Sequence, residues 1–274
     1  MRDSRLRRAM NTVFGVTILA IMLFPLYWMV NVSLTPSNEL LSPWPALFPA
    51  NPTLAGYTSA LSSQVPSLMT SIAIGLGTAV LALLISIPAA YAMGKLRVRG
   101  GGVVMFTLLI AQLLPAVVLT MALFALYARI GLINTYPGLI LANATAAVPL
   151  SVIVLRAFIS RIPDELLEAA RIDGAGPLRV LVAIVIPLSR NAIVTSALFS
   201  FLFAWGDFIF ARSLTTGNEL VPFTLSLFRF IGAQSTNWNG VMATAVIASV
   251  PALILLVFAQ RYIASGLTGG ALKD

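Results

Sequence analysis

The chain has 274 residues, 59% of them apolar and 9% charged, where a soluble domain carries roughly a quarter charged. With a mean hydropathy of +0.95 there is too little polar surface to face water, which excludes an ordinary soluble enzyme and a disordered chain alike. The absence of cysteine and histidine removes disulfides, thiolate metal sites and the commonest metal ligand and general base, so neither a catalytic residue nor a metal site is expected. The formal charge of +8 looks like a nucleic-acid signal until it is located. The basic residues stand in short clusters between long apolar runs, which is how a membrane protein orients itself. The chain reads as an all-α integral membrane protein in contact with lipid, with no nucleic-acid partner.

A helix crosses roughly 30 Å of hydrocarbon with about 20 apolar residues. Six stretches answer to this, at about 9–34, 68–93, 103–127, 137–155, 191–210 and 240–260. The first follows Arg2, Arg5, Arg7 and Arg8 but is longer than a cleaved signal core and has no Ala-x-Ala site, so it reads as a retained signal-anchor. The fifth is cut short, its charge-free run lying between Arg190 and Asp207. Placing both termini in the cytoplasm puts 14 Lys and Arg residues inside and leaves three outside, namely Arg129, Arg212 and Arg229. The outer segment 35–67 holds one charge, Glu39, and six prolines, and is expected to be an extended loop. Residues 1–274 therefore read as a single multi-pass transmembrane domain.

Within the spans the sole formal charge is Asp207. Ion-driven carriers place ionisable residues in the membrane to bind the coupling ion, so energy for transport must come from elsewhere. This chain has no phosphate-binding loop to supply it, because Gly94-Lys95 lacks the upstream glycine and the following Ser or Thr. Uncharged polar residues do occur, among them Gln112, Asn143, Thr145, Thr195, Ser196 and Ser200. They suit interhelical hydrogen bonding, and equally a hydrated path for an uncharged polyhydroxylated solute. Gln112, Asn143, Thr145 and Asp207 are the candidate pathway residues. Pro88, Pro115, Pro149 and Pro251 allow kinks where the freed carbonyls are shielded from lipid.

Four of the nine acidic residues fall between Asp164 and Asp173. Pro163 followed by Asp164 and Glu165 starts a helix, LLEAAR propagates it, and Gly174 with Gly176-Pro177 stops it. The result is a short helix between the fourth and fifth spans, on the cytoplasmic side by the charge count. Such a helix is marginal alone, and its face of Leu166, Leu167, Ala169 and Ala170 cannot be buried locally, so it is expected to be stabilised by packing on something else.

The run EAARIDGAGPLRVLVAIVIP resembles the EAA loop of binding-protein-dependent ABC importer permeases. The pattern is EAA, three residues, Gly, nine residues and Ile-x-Leu-Pro. Glu168, Ala169, Ala170, Gly174, Ile184 and Pro187 match it, with Ile186 where leucine is usual. LFPLYWMV, AAYAMGKL, AWGDFIFA and QRYIASGLTGGALKD are similar to the carbohydrate-uptake branch, of the maltose-permease second-subunit type. Gly206-Asp207 stands where that branch often has Asn-Glu.

The resemblance implies a permease subunit of a bacterial or archaeal plasma (inner) membrane. It would pair with a second homologous permease, two copies of a cytoplasmic ATPase and an extracytoplasmic solute-binding protein. The ATPases would bind ATP and Mg, and this chain would hold no cofactor. Glu168, Ala169, Ala170, Arg171, Asp173, Gly174 and Pro187 would couple to the ATPases. The tail LTGGALKD would reach between them, with Lys273 meeting an acidic residue. A secondary carrier would leave the acidic helix without a task, and a non-transporting sensor subunit would carry no solute flux. A polyol or a glycerol phosphate stands beside a sugar as the cargo.

Overall fold

The computed structural model describes residues 2–40, 42, 46–96, 98–233 and 237–268. Among them every regular element is helical, and none is a strand. The chain divides into two compact units, residues 1–65 with 227–250 and residues 66–226 with 251–274. The divisions fall within helices, two of them at Pro66 and Pro251.

The first unit contains α1 (Arg2–Leu34), the start of α2 (Ala55–Lys95), the end of α11 (Phe223–Ala233) and the start of α12 (Trp238–Thr268). A helix ends with four carbonyls that have no intrahelical donor. Here the buried Asn239 amide donates to the carbonyls of Ser33 at 2.7 Å and Thr35 at 2.9 Å, closing the end of α1. Gly56 leaves room for this amide, since a Cβ there would lie 2.3 Å from Asn239 Oδ1. The connecting segment is tied back to α1, where Asn31 Nδ2 donates to the Ala46 carbonyl at 2.9 Å and the Tyr27 hydroxyl donates to the Leu47 carbonyl.

That segment is shorter than the sequence implies. Helix α2 begins at Ala55, not near residue 68, and carries Pro66 within it. Ser62 and Ser63 bond back to the Ser59 carbonyl, so the serines that look like loop formers are absorbed by the helix. At 41 residues α2 is about 60 Å long by its rise per residue, about twice a hydrocarbon thickness.

The second unit is built on α5 (Tyr136–Ile159). Thr135 caps it by accepting from Gly138 N, and Pro137 sits in the first turn where its missing N–H costs nothing. Five of the eleven residues on its buried face are small, namely Gly138, Ala142, Ala144, Ala147 and Ser151. Small residues let helices approach closely in a membrane. Accordingly α9 (Arg190–Trp205) lies against α5, joined by a 3.1 Å hydrogen bond between the buried Ser151 and Ser200 hydroxyls. Gly77 of α2 is equally close, since a Cβ there would be 2.5 Å from Ile140 Cδ1.

The expected third and fifth spans are not straight helices. The third is α3 (Gly101–Ala111) and α4 (Ala116–Ile130), which meet at 100° across Gln112–Pro115. The fifth follows α7 (Pro177–Val180), a π-turn (Leu181–Val185) and α8 (Ile186–Leu188), and turns by 81° into α9 at Ser189. It stops at Trp205, short of the expected Phe210, because Gly206 breaks the helix and Asp207 begins α10 (Ile209–Leu214). Proline at 115 and at 187 removes a donor beside each break. Among the described residues four helices are long and apolar enough to span a membrane, or up to six spans if each bent pair is one. The tail 269–274, with Lys273, lies outside the described residues, as does Arg97.

Candidate functional site

Between α5 and α7 lies α6 (Asp164–Ile172), with the start and stop read from its sequence. Pro163 enters with extended backbone, and Asp164 and Glu165 occupy the positive first turn. At the other end Gly174 has φ +80°, a left-handed conformation that favours glycine. Gly174 N donates to the Arg171 carbonyl at 3.0 Å and Ala175 N to the Ala170 carbonyl at 2.9 Å. This Schellman pair satisfies the last carbonyls of a nine-residue helix.

The packing that such a short helix needs comes in part from its own chain, on which α6 buries one face. Leu167 is 2% exposed within a cluster that includes Ala90, Tyr91, Leu155, Ile159 and Val180, and Ala170 packs on its edge. Burying a leucine stabilises by about 1.5–3 kcal/mol, enough to hold a short helix. The opposite face stays open, with Leu166, Ala169 and Ile172 three residues apart and Ile172 87% exposed. Glu165 and Glu168 lie beside this stripe, both exposed.

Thus Glu168 and Ala169 face outward, Ala170 faces inward, Asp173 ends the helix and Gly174 turns the chain. Glu168 and Arg171 line a cleft of about 310 Å³ with Lys95, Leu96, Asp164 and Leu167. Lys95 ion-pairs with Asp164 at 2.7 Å, a partner not recognised from the sequence. Pro187 is exposed in α8, just after the π-turn.

The pathway candidates separate into two pairs. Gln112, exposed at the break between α3 and α4, donates to the Ala146 carbonyl at 3.0 Å, next to the exposed Thr145. Asn143 is buried on the other side of α5, donates to the Leu139 carbonyl at 2.9 Å and lies beside Asp207. The Asp207 carboxylate accepts from Phe210 N at 3.1 Å and Ala211 N at 3.0 Å, which caps α10. Thr224 donates to its carbonyl, tying α10 to α11. Asn143 Oδ1 is buried without a partner.

Residues 83–269 match the family model described as "Binding-protein-dependent transport system inner membrane component". The chain belongs to this family. The matched segment runs from the middle of α2 to the end of α12 and contains α6. A trehalose transport system permease protein of Mycobacterium tuberculosis is 32% identical over 95% of this chain and 96% of its own length. A trehalose/maltose transport system permease protein of Thermococcus litoralis is 34% identical over 100% of this chain and 99% of its own. The crystal structure of a bacterial ABC transporter involved in import of the acidic polysaccharide alginate contains a chain with the same fold. Its TM-score is 0.82 at 23% identity, covering 96% of this chain and 98% of that one.

Proposed function

We propose that this chain is one permease subunit of an ATP-driven importer carrying a sugar or oligosaccharide into the cytoplasm. The observation that carries this reading is likeness over the whole length to the trehalose and trehalose/maltose permeases. The chain is a half-channel and works with a second homologous permease, two cytoplasmic ATPases that bind ATP and Mg, and an extracytoplasmic solute-binding protein. It holds no catalytic residue itself, and residues 1–274 act as one six-span domain with both termini in the cytoplasm. The 14 to 3 distribution of basic residues supports that orientation. Cysteines introduced at Ser37 and Ala175 should label from opposite sides of the membrane. Labelling of both from outside would overturn it.

Helix α6 is the element that meets the ATPase. It presents Glu168 beside an exposed apolar stripe, and its cap at Gly174 fixes its length. A glutamate docked against a basic residue of the ATPase becomes part of a shielded pair, and reversing its charge leaves the partner unpaired. Glu168→Lys should leave the protein in the membrane and lower ATPase co-purification and solute-stimulated hydrolysis at least tenfold, a loss of about 1.4 kcal/mol or more. Solute binding by the extracytoplasmic protein should be unchanged. Normal hydrolysis with Glu168→Lys would refute the role of α6, and uptake independent of ATP in vesicles would refute the importer.

A further inference from the structure

Lys95 closes the last turn of α2, and its side chain is only 6% exposed. Its ammonium donates to the Ile162 carbonyl, in the turn between α5 and α6, and to Asp164 Oδ1 at 2.7 Å, on the first residue of α6. One buried charge therefore bridges the end of one membrane-length helix, the turn after another, and the start of α6. The two partners are unequal. Asp164 is 59% exposed and reaches water, whereas a buried ammonium needs its acceptors. The lysine is the member that keeps the bridge closed.

The surroundings fit a rigid joint. Leu167 and Ala170 of α6 share one apolar cluster with Ala90 and Tyr91 from the last turns of α2 and with Leu155 and Ile159 of α5. At Gly94 α2 runs against the end of α5, where an added Cβ would make ordinary contact, 3.5 Å from Ile159 Cγ2. Apolar contact resists separation but is non-directional and resists sliding poorly. Charge-assisted hydrogen bonds fix register.

We propose that Lys95 is the latch through which movement of α6 is passed to α2, a positioning residue distinct from the surface that docks the ATPase. This rests on the reading of α6 as the ATPase-contacting helix. The decisive variants are Lys95→Met, which keeps the stem and removes the charge, and Lys95→Arg, which keeps the charge. In the reconstituted complex Lys95→Met should retain ATPase association while solute moved per ATP hydrolysed falls about tenfold. Lys95→Arg should recover most of it. Wild-type coupling in Lys95→Met would overturn the proposal. Loss of association as severe as in Glu168→Lys would do so too, since Lys95 would then build the docking surface itself.

A second measurement reads the joint without an ATPase. Spin labels on cysteines at Leu96 and Glu165, in this cysteine-free background, should give one narrow distance in the otherwise wild-type chain and a broad distribution with Lys95→Met. Equal widths in the two would overturn the latch. The coupling reading fails separately, if Glu168→Lys leaves ATPase association intact.

Discussion

Helices α1 and α5 are nearly indistinguishable by hydropathy, their most apolar stretches averaging 2.2 and 2.1. Their surroundings differ completely. None of that stretch of α1 is buried in the chain, whereas 56% of that of α5 is. Around α1 large side chains such as Phe14, Leu19, Ile21, Met22 and Phe24 are all exposed. Along α5 alanine, glycine and serine make up much of the buried face. In a membrane the hydrophobic effect does not drive helices together, because lipid is as apolar as leucine, and association follows close packing and hydrogen bonds. Residue size, not hydropathy, separates the buried helix from the exposed one.

That contrast can be broken most sharply at α5. Ala142 and Ala147 are almost fully buried, so Ala147→Leu should cost about 1–3 kcal/mol through overpacking. It should lower the thermal transition of the purified subunit in detergent. An unchanged transition would mean that α5 is not close-packed.

Next in size is Asn239→Ala, which removes the donor from the buried Ser33 and Thr35 carbonyls and should cost about 1–3 kcal/mol. Although α1 is exposed along its membrane stretch, its end is held. The variant should therefore speed hydrogen exchange at Thr35 to Glu39 and leave α5 protected.

Ser151→Ala deletes one interhelical hydrogen bond and should cost about 0.6 kcal/mol, measurable as a small shift in the same transition. The least effect is expected from Met22→Leu on α1, within about 0.5 kcal/mol in the isolated chain. Repeating it in the proposed assembly sharpens the comparison, since a loss appearing only there would identify α1 as covered by another subunit.

The sequence served best where a local rule has a single outcome. Pro163 and Gly174 delimit α6 because a helix start and a left-handed stop are written in the neighbouring residues. The onset of α5 at Tyr136 lies one residue from its expected place. The 100° turn at Gln112–Pro115 was beyond reach, because proline announces a break and not an angle. Residues 55–67 were misread since serine and Pro66 are loop formers by propensity, and the long helix overrides them. At the candidate site the short helix that carries Glu168 was legible in the residues themselves. The Lys95–Asp164 pair was not, since it joins positions 69 residues apart that only the fold brings together. Asn143 and Thr145, grouped as polar residues of one span, are two positions apart on a helix and so point to different sides.

The bend between α3 and α4 bears on how the protein is made. Proline at 115 contributes no N–H, and Leu113 beside it is 80% exposed. The amides of Gln112, Leu113 and Leu114 donate to the Leu108, Ile110 and Ala111 carbonyls. If the turn lies at membrane depth, any carbonyl it leaves without a donor is tolerated only against protein or water, because lipid offers no hydrogen bonds. A copy released into the bilayer with nothing against this turn would be an orphan of raised energy and an opening for a membrane protease. Synthesis in step with its assembly partners would then set how much of the chain survives, and overproduction of this gene product alone would yield turnover rather than accumulation.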